Sequence, residues 1–378
     1  MSRAAILTPK RQIEIVGPAG RTRETFDDVL AWGAWKAVPS TSWAWPTWSP
    51  DGRALAAFRM TMGDEPTTTV VTFAPGSVHQ TDVAQIGSRL PIYLHWSTDG
   101  ARVAILSQED AQLVLSSAQR DEPASERIHA EASPLFFTWA PDHRIAAYLG
   151  EDGRRRGQMA LLATGSRDRT VLPGVPLNFC APLCGAGRVY YVAATPEGPA
   201  LVAAAELDAV PTIIEPTHGL VALVPSPDRT KAARAWATDG DGTPYRDLVI
   251  LDLATGDRRH VADGPFLAFL WVPGGDRLVT ARVDTQRNVV IWEVVAPGEP
   301  ARILHEQHPT RDLGFYLRFF EQFGQSHALV DPTGKWLLLA GWPARAARTG
   351  EPRVIRVPLD GGEPDDLGPG NFAVWAPA

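Results

Sequence analysis

Residues 47–58 read TWSPDGRALAAF: a tryptophan, a Ser-Pro-Asp-Gly corner and then an apolar run. Each part has a plain structural use. An aromatic at a strand end fills the space beside a neighbouring sheet. Proline presets φ for a turn, aspartate accepts hydrogen bonds from the amides of its own turn, and glycine tolerates positive φ. Turn chemistry therefore accounts for Asp51 without any catalytic or metal role.

Diluted copies of this stretch recur. Trp48 of TWSPDG aligns with Trp96 of HWSTDG, Trp139 of TWAPDH, Pro182 of APLCGAG, Pro225 of VPSPDR, Trp271 of LWVPGGD, Val330 of LVDPTG and Trp375 of VWAP. The intervals are 48, 43, 43, 43, 46, 59 and 45 residues. After each complete copy comes a short Val/Leu/Ala-rich run (RALAAFRM, ARVAILSQ, GRVYYVAA), then a third run such as TTVVTF or DLVILD, and a more polar fourth such as RRHVAD. Runs of this length bounded by turn residues read as strands. Four strands in each unit of about 43 to 50 residues is the layout of a β-propeller blade.

The last copy, NFAVWAPA, supplies a first strand with nothing after it, and the missing strands stand at the start of the sequence. Residues 3–8 (RAAILT), 12–16 (QIEIV) and 21–26 (RTRETF) read as a second, third and fourth strand. The expectation is an all-β, eight-bladed β-propeller over residues 1–378, closed by pairing of N- and C-terminal strands. Seven blades is the alternative, should the unit around Pro182 be irregular. Closure of this kind removes exposed sheet edges.

These Trp-Ser-Pro-Asp-Gly units resemble the repeats of TolB-type propellers and of the propeller domains of dipeptidyl-peptidase-like proteins, over essentially the whole chain. The resemblance implies blades and no particular activity. TolB is periplasmic and carries an additional N-terminal domain; here Lys10 and Arg11 interrupt the opening apolar run, so no secretion signal is expected and the expected location is cytoplasmic. The peptidases attach a hydrolase domain, yet no G-x-S-x-G nucleophile elbow occurs in this sequence.

Composition narrows the partners. With 36 Lys+Arg against 43 Asp+Glu the formal charge is −7, which gives no global field for nucleic acid. No run of 18 apolar residues is present for membrane insertion. The two cysteines, Cys180 and Cys184, lack C-x-x-C spacing and read as buried thiols. Asp239 and Asp241 do not complete a calcium loop, His305, Glu306 and His308 do not make H-E-x-x-H, and the arginines at 154–156 read as a solvated tip. No cofactor or metal is expected, and a monomer is.

Function is sought where the repeat breaks. The 59-residue interval holds HPTRDLGFYLRFFEQFGQSHALVDPTG. Leu313, Tyr316, Leu317, Phe320 and Phe323 fall at helical spacing, predicting an amphipathic helix of about three turns within 311–325. Asp312 is its expected N-cap and Gly324 its stop. This stretch also resembles one in TolB-like bacterial proteins. As a connection from a fourth to a first strand it is expected near the mouth of the propeller channel. Other connections on that face contribute Trp43, Trp45, Arg89, Tyr93, Phe136, Phe137, Asn178, Phe179, Phe266, Asn371 and Phe372. With Tyr316, Phe319, Phe320, Gln325 and His327 they suggest a rim for a protein, a peptide or an apolar small ligand. Packing between blades is the competing use of every such aromatic. The favoured reading is a non-catalytic binding propeller. The alternative is an enzyme (a lyase, cyclase or hydrolase) with His327, Glu321 and Arg318 as its polar groups.

Overall fold

A computed structural model describes residues 3–17, 23–26, 41–63, 65–77, 79–151, 157–177, 181–217, 219–237, 244–346 and 348–377. Asn178, Phe179, Cys180, the arginines at 154–156, and Asp239 and Asp241 lie outside them. The described chain is nearly all antiparallel β-structure. Two compact units are distinguished: the first runs to Ile128 and includes Pro309–Leu313 and Ser326–Ala378, and the second comprises His129–His308 and Gly314–Gln325.

Within the first unit, Phe372–Trp375 pairs with Ala4–Leu7, which pairs with Ile13–Val16 and then Arg23–Phe26. The register runs from Ala4 opposite Trp375 to Leu7 opposite Phe372. Both strands of the join are buried along their whole length. A second sheet has the order Thr41–Trp48, Leu55–Thr61, Thr67–Phe73, Gln80–Gly87. Leu90–Trp96, Arg102–Glu109 and Gln112–Gln119 form another. Trp336–Pro343, Arg353–Pro358 and Asp365–Pro369 form a further ladder, to which Val330 adds a single bridge opposite Leu337.

In the second unit the same grammar gives Leu135–Trp139 through Arg169–Val171, Leu220–Pro225 through Arg258–Ala262, and Ala268–Trp271 through Arg302–Pro309. The unit around Pro182 is the irregular one. Its first strand is split into Val175–Pro176 and Leu183–Gly185, both paired with Arg188–Thr195, which is followed by Gly198–Ala204 and Thr212–Pro216. Register also corrects the alignment there. Trp48, Trp96 and Trp139 lie opposite Leu55, Val103 and Ile145, and the residue in that column is Cys184, opposite Val189, rather than Pro182.

Strand chemistry follows position. The third strand Val289–Val295 is covered on both faces and buried throughout; fourth strands form the outer edge and carry charge, as in Arg258–Ala262.

The corners repeat one set of hydrogen bonds. Ser49 Oγ donates to Asp51 and accepts from the Ala54 amide (2.9 Å), while Asp51 accepts the Arg53 amide (3.0 Å). Ser97 and Asp99 do the same with Arg102 and Ala101, and Ser226 and Asp228 with Lys231 and Thr230. In the copy without a serine, Asp331 itself accepts the Lys335 and Trp336 amides. The fourth corner residue is left-handed, φ being 63° at Gly52, 68° at Gly100 and 57° at Arg229. Burial opposes the charge of Asp51, yet Ser49, the Arg53 amide and the Arg120 guanidinium hold its carboxyl down at about 2.

Two tryptophans at the ends of first strands tie their sheet to the preceding one. Trp96 Nε1 donates to the Thr47 carbonyl (3.1 Å), and Trp271 Nε1 to that of Val224 (2.8 Å). Both bonds are buried. Replacing Trp96 or Trp271 by Phe keeps an aromatic ring and leaves a buried carbonyl without its donor. Each variant is expected to lose about 1–3 kcal/mol of stability, read as a lower urea midpoint with an unchanged m-value.

Candidate functional site

The helical interruption begins at Thr310, whose Oγ1 accepts the Leu313 amide (3.1 Å) and donates to the Asn371 carbonyl. Thr310 is therefore the N-cap. Asp312, expected in that role, lies inside the first turn and pairs with Arg11 at 2.9 Å. Burial pushes its carboxyl up, against the pull of Arg11. Leu313, Tyr316, Leu317, Phe320 and Phe323 are all buried, as their spacing requires.

The helix is not continuous. α1 spans Arg311–Arg318, Phe319 leaves helical geometry at φ −122°, ψ 31°, and a single turn, α2, covers Phe320–Phe323. Gly324 ends it in right-handed geometry rather than as a left-handed stop. What demands glycine there is close approach, since a Cβ would lie 2.8 Å from the Phe320 carbonyl oxygen.

In the second unit, α2 lies against the first strands of three sheets. Phe320 stacks edge-on to Phe269 (centroids 4.9 Å) and Tyr245 (5.7 Å). The Glu321 carboxylate accepts from the Leu223 amide (3.4 Å), the Tyr245 hydroxyl (3.2 Å) and the Ala181 backbone. Gln325 accepts from Thr138 Oγ1 (2.6 Å) and donates to the Glu321 carbonyl (3.1 Å). Burial outweighs those hydrogen bonds and raises the Glu321 carboxyl to about 8.

In the first unit, Ser326–Ala328 meets first strands in the same manner. Thr47 Oγ1 donates to the Ser326 carbonyl (2.8 Å), and the Trp375 amide to that of Ala328 (2.8 Å). His327 is fully buried. Its Nδ1 is 2.6 Å from Ser326 Oγ, and Tyr93 (5.7 Å), Phe372 (6.1 Å) and Trp45 (6.1 Å) enclose the ring. Burial lowers the imidazole to about 3, against a backbone hydrogen bond at Trp45, so the ring is neutral at physiological pH. Trp45 itself sits at φ 50°, within a register shift between Ala44 and Thr47.

The remaining candidates divide by burial. Trp43 packs on Phe73, and Phe137 is fully buried. Arg89 spans Glu126 (2.7 and 2.8 Å) and the Ile86 carbonyl, and Glu126 also accepts from Ser116, a half-buried network. Asn371 joins the Leu7 and Thr8 backbone to the start of the helix. Phe315 and Phe319 are the exposed aromatics of the interruption, at 37% and 36%. Their rings are 4.9 Å apart, and the exposed Arg318 lies over Phe319. Thr138, Leu223 and Tyr245 escaped the sequence reading because they reach Glu321 and Gln325 from different sheets. Thr310 carried a signal: a threonine directly before the helical spacing is a preferred cap.

The fold is that of a β-propeller. The chain is similar to a eukaryotic initiation factor at TM-score 0.53 and 10% identity, over 100% of this chain and 98% of that one. It is also similar to the β-propeller domain of the Trilobed protease from Pyrococcus furiosus (TM-score 0.50, 11% identity, 88% of this chain and 99% of that one). That domain is described as having an open velcro topology, whereas here Ala4–Leu7 pairs with Phe372–Trp375. A resemblance to TolB from Acinetobacter baumannii accompanies these (TM-score 0.43, 12% identity), covering 100% of this chain and 66% of that one. No protein-family model and no curated protein matches the sequence. Identities this low speak to fold alone. Among the described residues no helix is long and apolar enough to cross a membrane, and no group of His, Cys, Asp and Glu is arranged to hold a metal ion.

Both buried titratable groups make stability depend on pH. Below pH 4.5 Glu321 is protonated folded or unfolded; as pH rises to about 8 only the unfolded chain ionises, so stability falls across that window. His327 acts in the other direction: its contribution is complete above pH 6.5 and is lost as acidification protonates the unfolded chain between 6.5 and about 3. Urea midpoints measured from pH 4 to 9 are expected to lose their alkaline decline in Glu321→Gln. Their acidic decline is expected to weaken in His327→Gln.

Proposed function

We propose that the chain is an eight-bladed binding propeller, cytoplasmic and monomeric, that engages an apolar segment of a protein or peptide on its channel face. The blade count rests on eight recurrences of the turn motif and on the shared sheet of the terminal strands. One observation carries the binding reading: in an interruption whose other large apolar residues are buried, the rings of Phe315 and Phe319 meet at the surface, 4.9 Å apart, beside Arg318. An exposed aromatic pair flanked by an arginine has the composition of an interface anchor.

The same geometry weighs against His327 as an acid or base, because its ring is enclosed by aromatics and stays neutral. Glu321 has its oxygens engaged by Leu223, Tyr245 and Ala181 and reads as a pin for α2. The test is affinity capture and then titration of the captured partner against Phe315→Ala and Phe319→Ala. Each variant is expected to weaken binding by at least about 1 kcal/mol, a factor of roughly five or more, with an unchanged circular dichroism spectrum. Equal affinity in both folded variants removes the helix from the interface.

A further inference from the structure

Trp48, Trp96, Trp139, Trp271 and Trp375 end five first strands, and Pro225 and Val330 stand in the same column of two more; in the remaining sheet the column holds a cysteine. Cys184 occupies the tryptophan column by register, opposite Val189. Its side chain shares a core with Ala140 and Leu161 of the preceding sheet, and with Val189 and Ala204 of its own. In the equivalent positions Trp96 and Trp271 reach the preceding first strand with the indole N–H. A thiol fills much less of that space. The cover has been shortened as well: in place of a Ser-Pro-Asp-Gly corner the chain turns through Ala186 and Gly187 alone, at φ 48° and 72°.

The result is a cavity of about 430 Å³ with a floor of Ala140, Leu161, Cys184, Val189 and Ala204. This lies in the size range of small-molecule sites, about 300–1,000 Å³. Charges at its edge are paired: Arg144 with Asp142 and Glu206, and Arg188 with Asp208. Compensated charge around an apolar floor selects for a neutral guest. The cavity opens to solvent past Leu207, so a flat aromatic guest would displace water from the apolar floor.

We propose that this cavity is a binding site for a small, neutral, flat aromatic molecule of about indole size, seated where the repeat elsewhere places its own tryptophan. The site is separate from the helix and does not depend on the peptide-binding reading.

The probe is 5-bromoindole, added to the full chain in solution and in crystals. The expected results are a saturable rise in the thermal midpoint, half-complete at on the order of 1 mM or below, and an anomalous bromine peak between Leu161 and Cys184. Cys184→Trp and Ala204→Leu fill the cavity from two strands of the same wall, and each is expected to abolish the shift while retaining the wild-type circular dichroism spectrum. A shift that persists in either folded variant overturns the proposal. Should neither variant fold, the bromine position decides: a peak in the cavity supports the site, and a peak elsewhere or none at all overturns it.

Discussion

The tryptophan at the end of a first strand is the side chain on which the packing of successive sheets turns, and at Trp96 and Trp271 its indole N–H is also donated to a carbonyl of the preceding first strand. It combines a large apolar body with one directed polar bond, so it sets both spacing and rotation of a sheet against its predecessor. The corner after it is fixed by serine, aspartate and a left-handed residue, which keep the tryptophan at the strand end. Substitution of the serine by Asp331 in one corner shows what is required: acceptors for the amides that follow, supplied by whichever side chain reaches them.

Because these bonds are local, the fold could be read from sequence. Trp48, Pro50, Asp51 and Gly52 lie within five residues and carry their own explanation. The terminal pairing was legible for a different reason, since a lone first strand at one end and three companions at the other leave one arrangement that satisfies both. The failures occurred where a local rule had competitors. Asp312 and Thr310 are both good caps, and only the position of the Leu313 amide distinguishes them. Pro182 stands at the right interval from Trp139, but a two-residue turn shifts the column to Cys184.

The candidate site was less legible. Spacing identified the buried stripe of Leu313, Tyr316, Leu317, Phe320 and Phe323, because a helix imposes its period on the sequence. It could not reveal that Phe319 breaks the helix, nor that Glu321 is held by Leu223 and Tyr245. Those contacts come from strands far apart in the chain, and no period links them. The aromatics of the expected rim mostly have packing partners: Trp43 has Phe73, while Tyr93 and Phe372 enclose His327. Phe315 of α1 and Phe319, just beyond its end, are the exposed pair.

The join of Ala4–Leu7 to Phe372–Trp375 has a consequence for biosynthesis. Ala4–Leu7 leaves the ribosome long before the strand that completes its sheet, Phe372–Trp375, has been made. Among the described residues the other sheets are built from strands close in sequence, but this one holds an apolar edge open until Phe372–Trp375 has been translated. Protection of that nascent edge, by a chaperone or by rapid elongation, is a requirement this topology places on the cell.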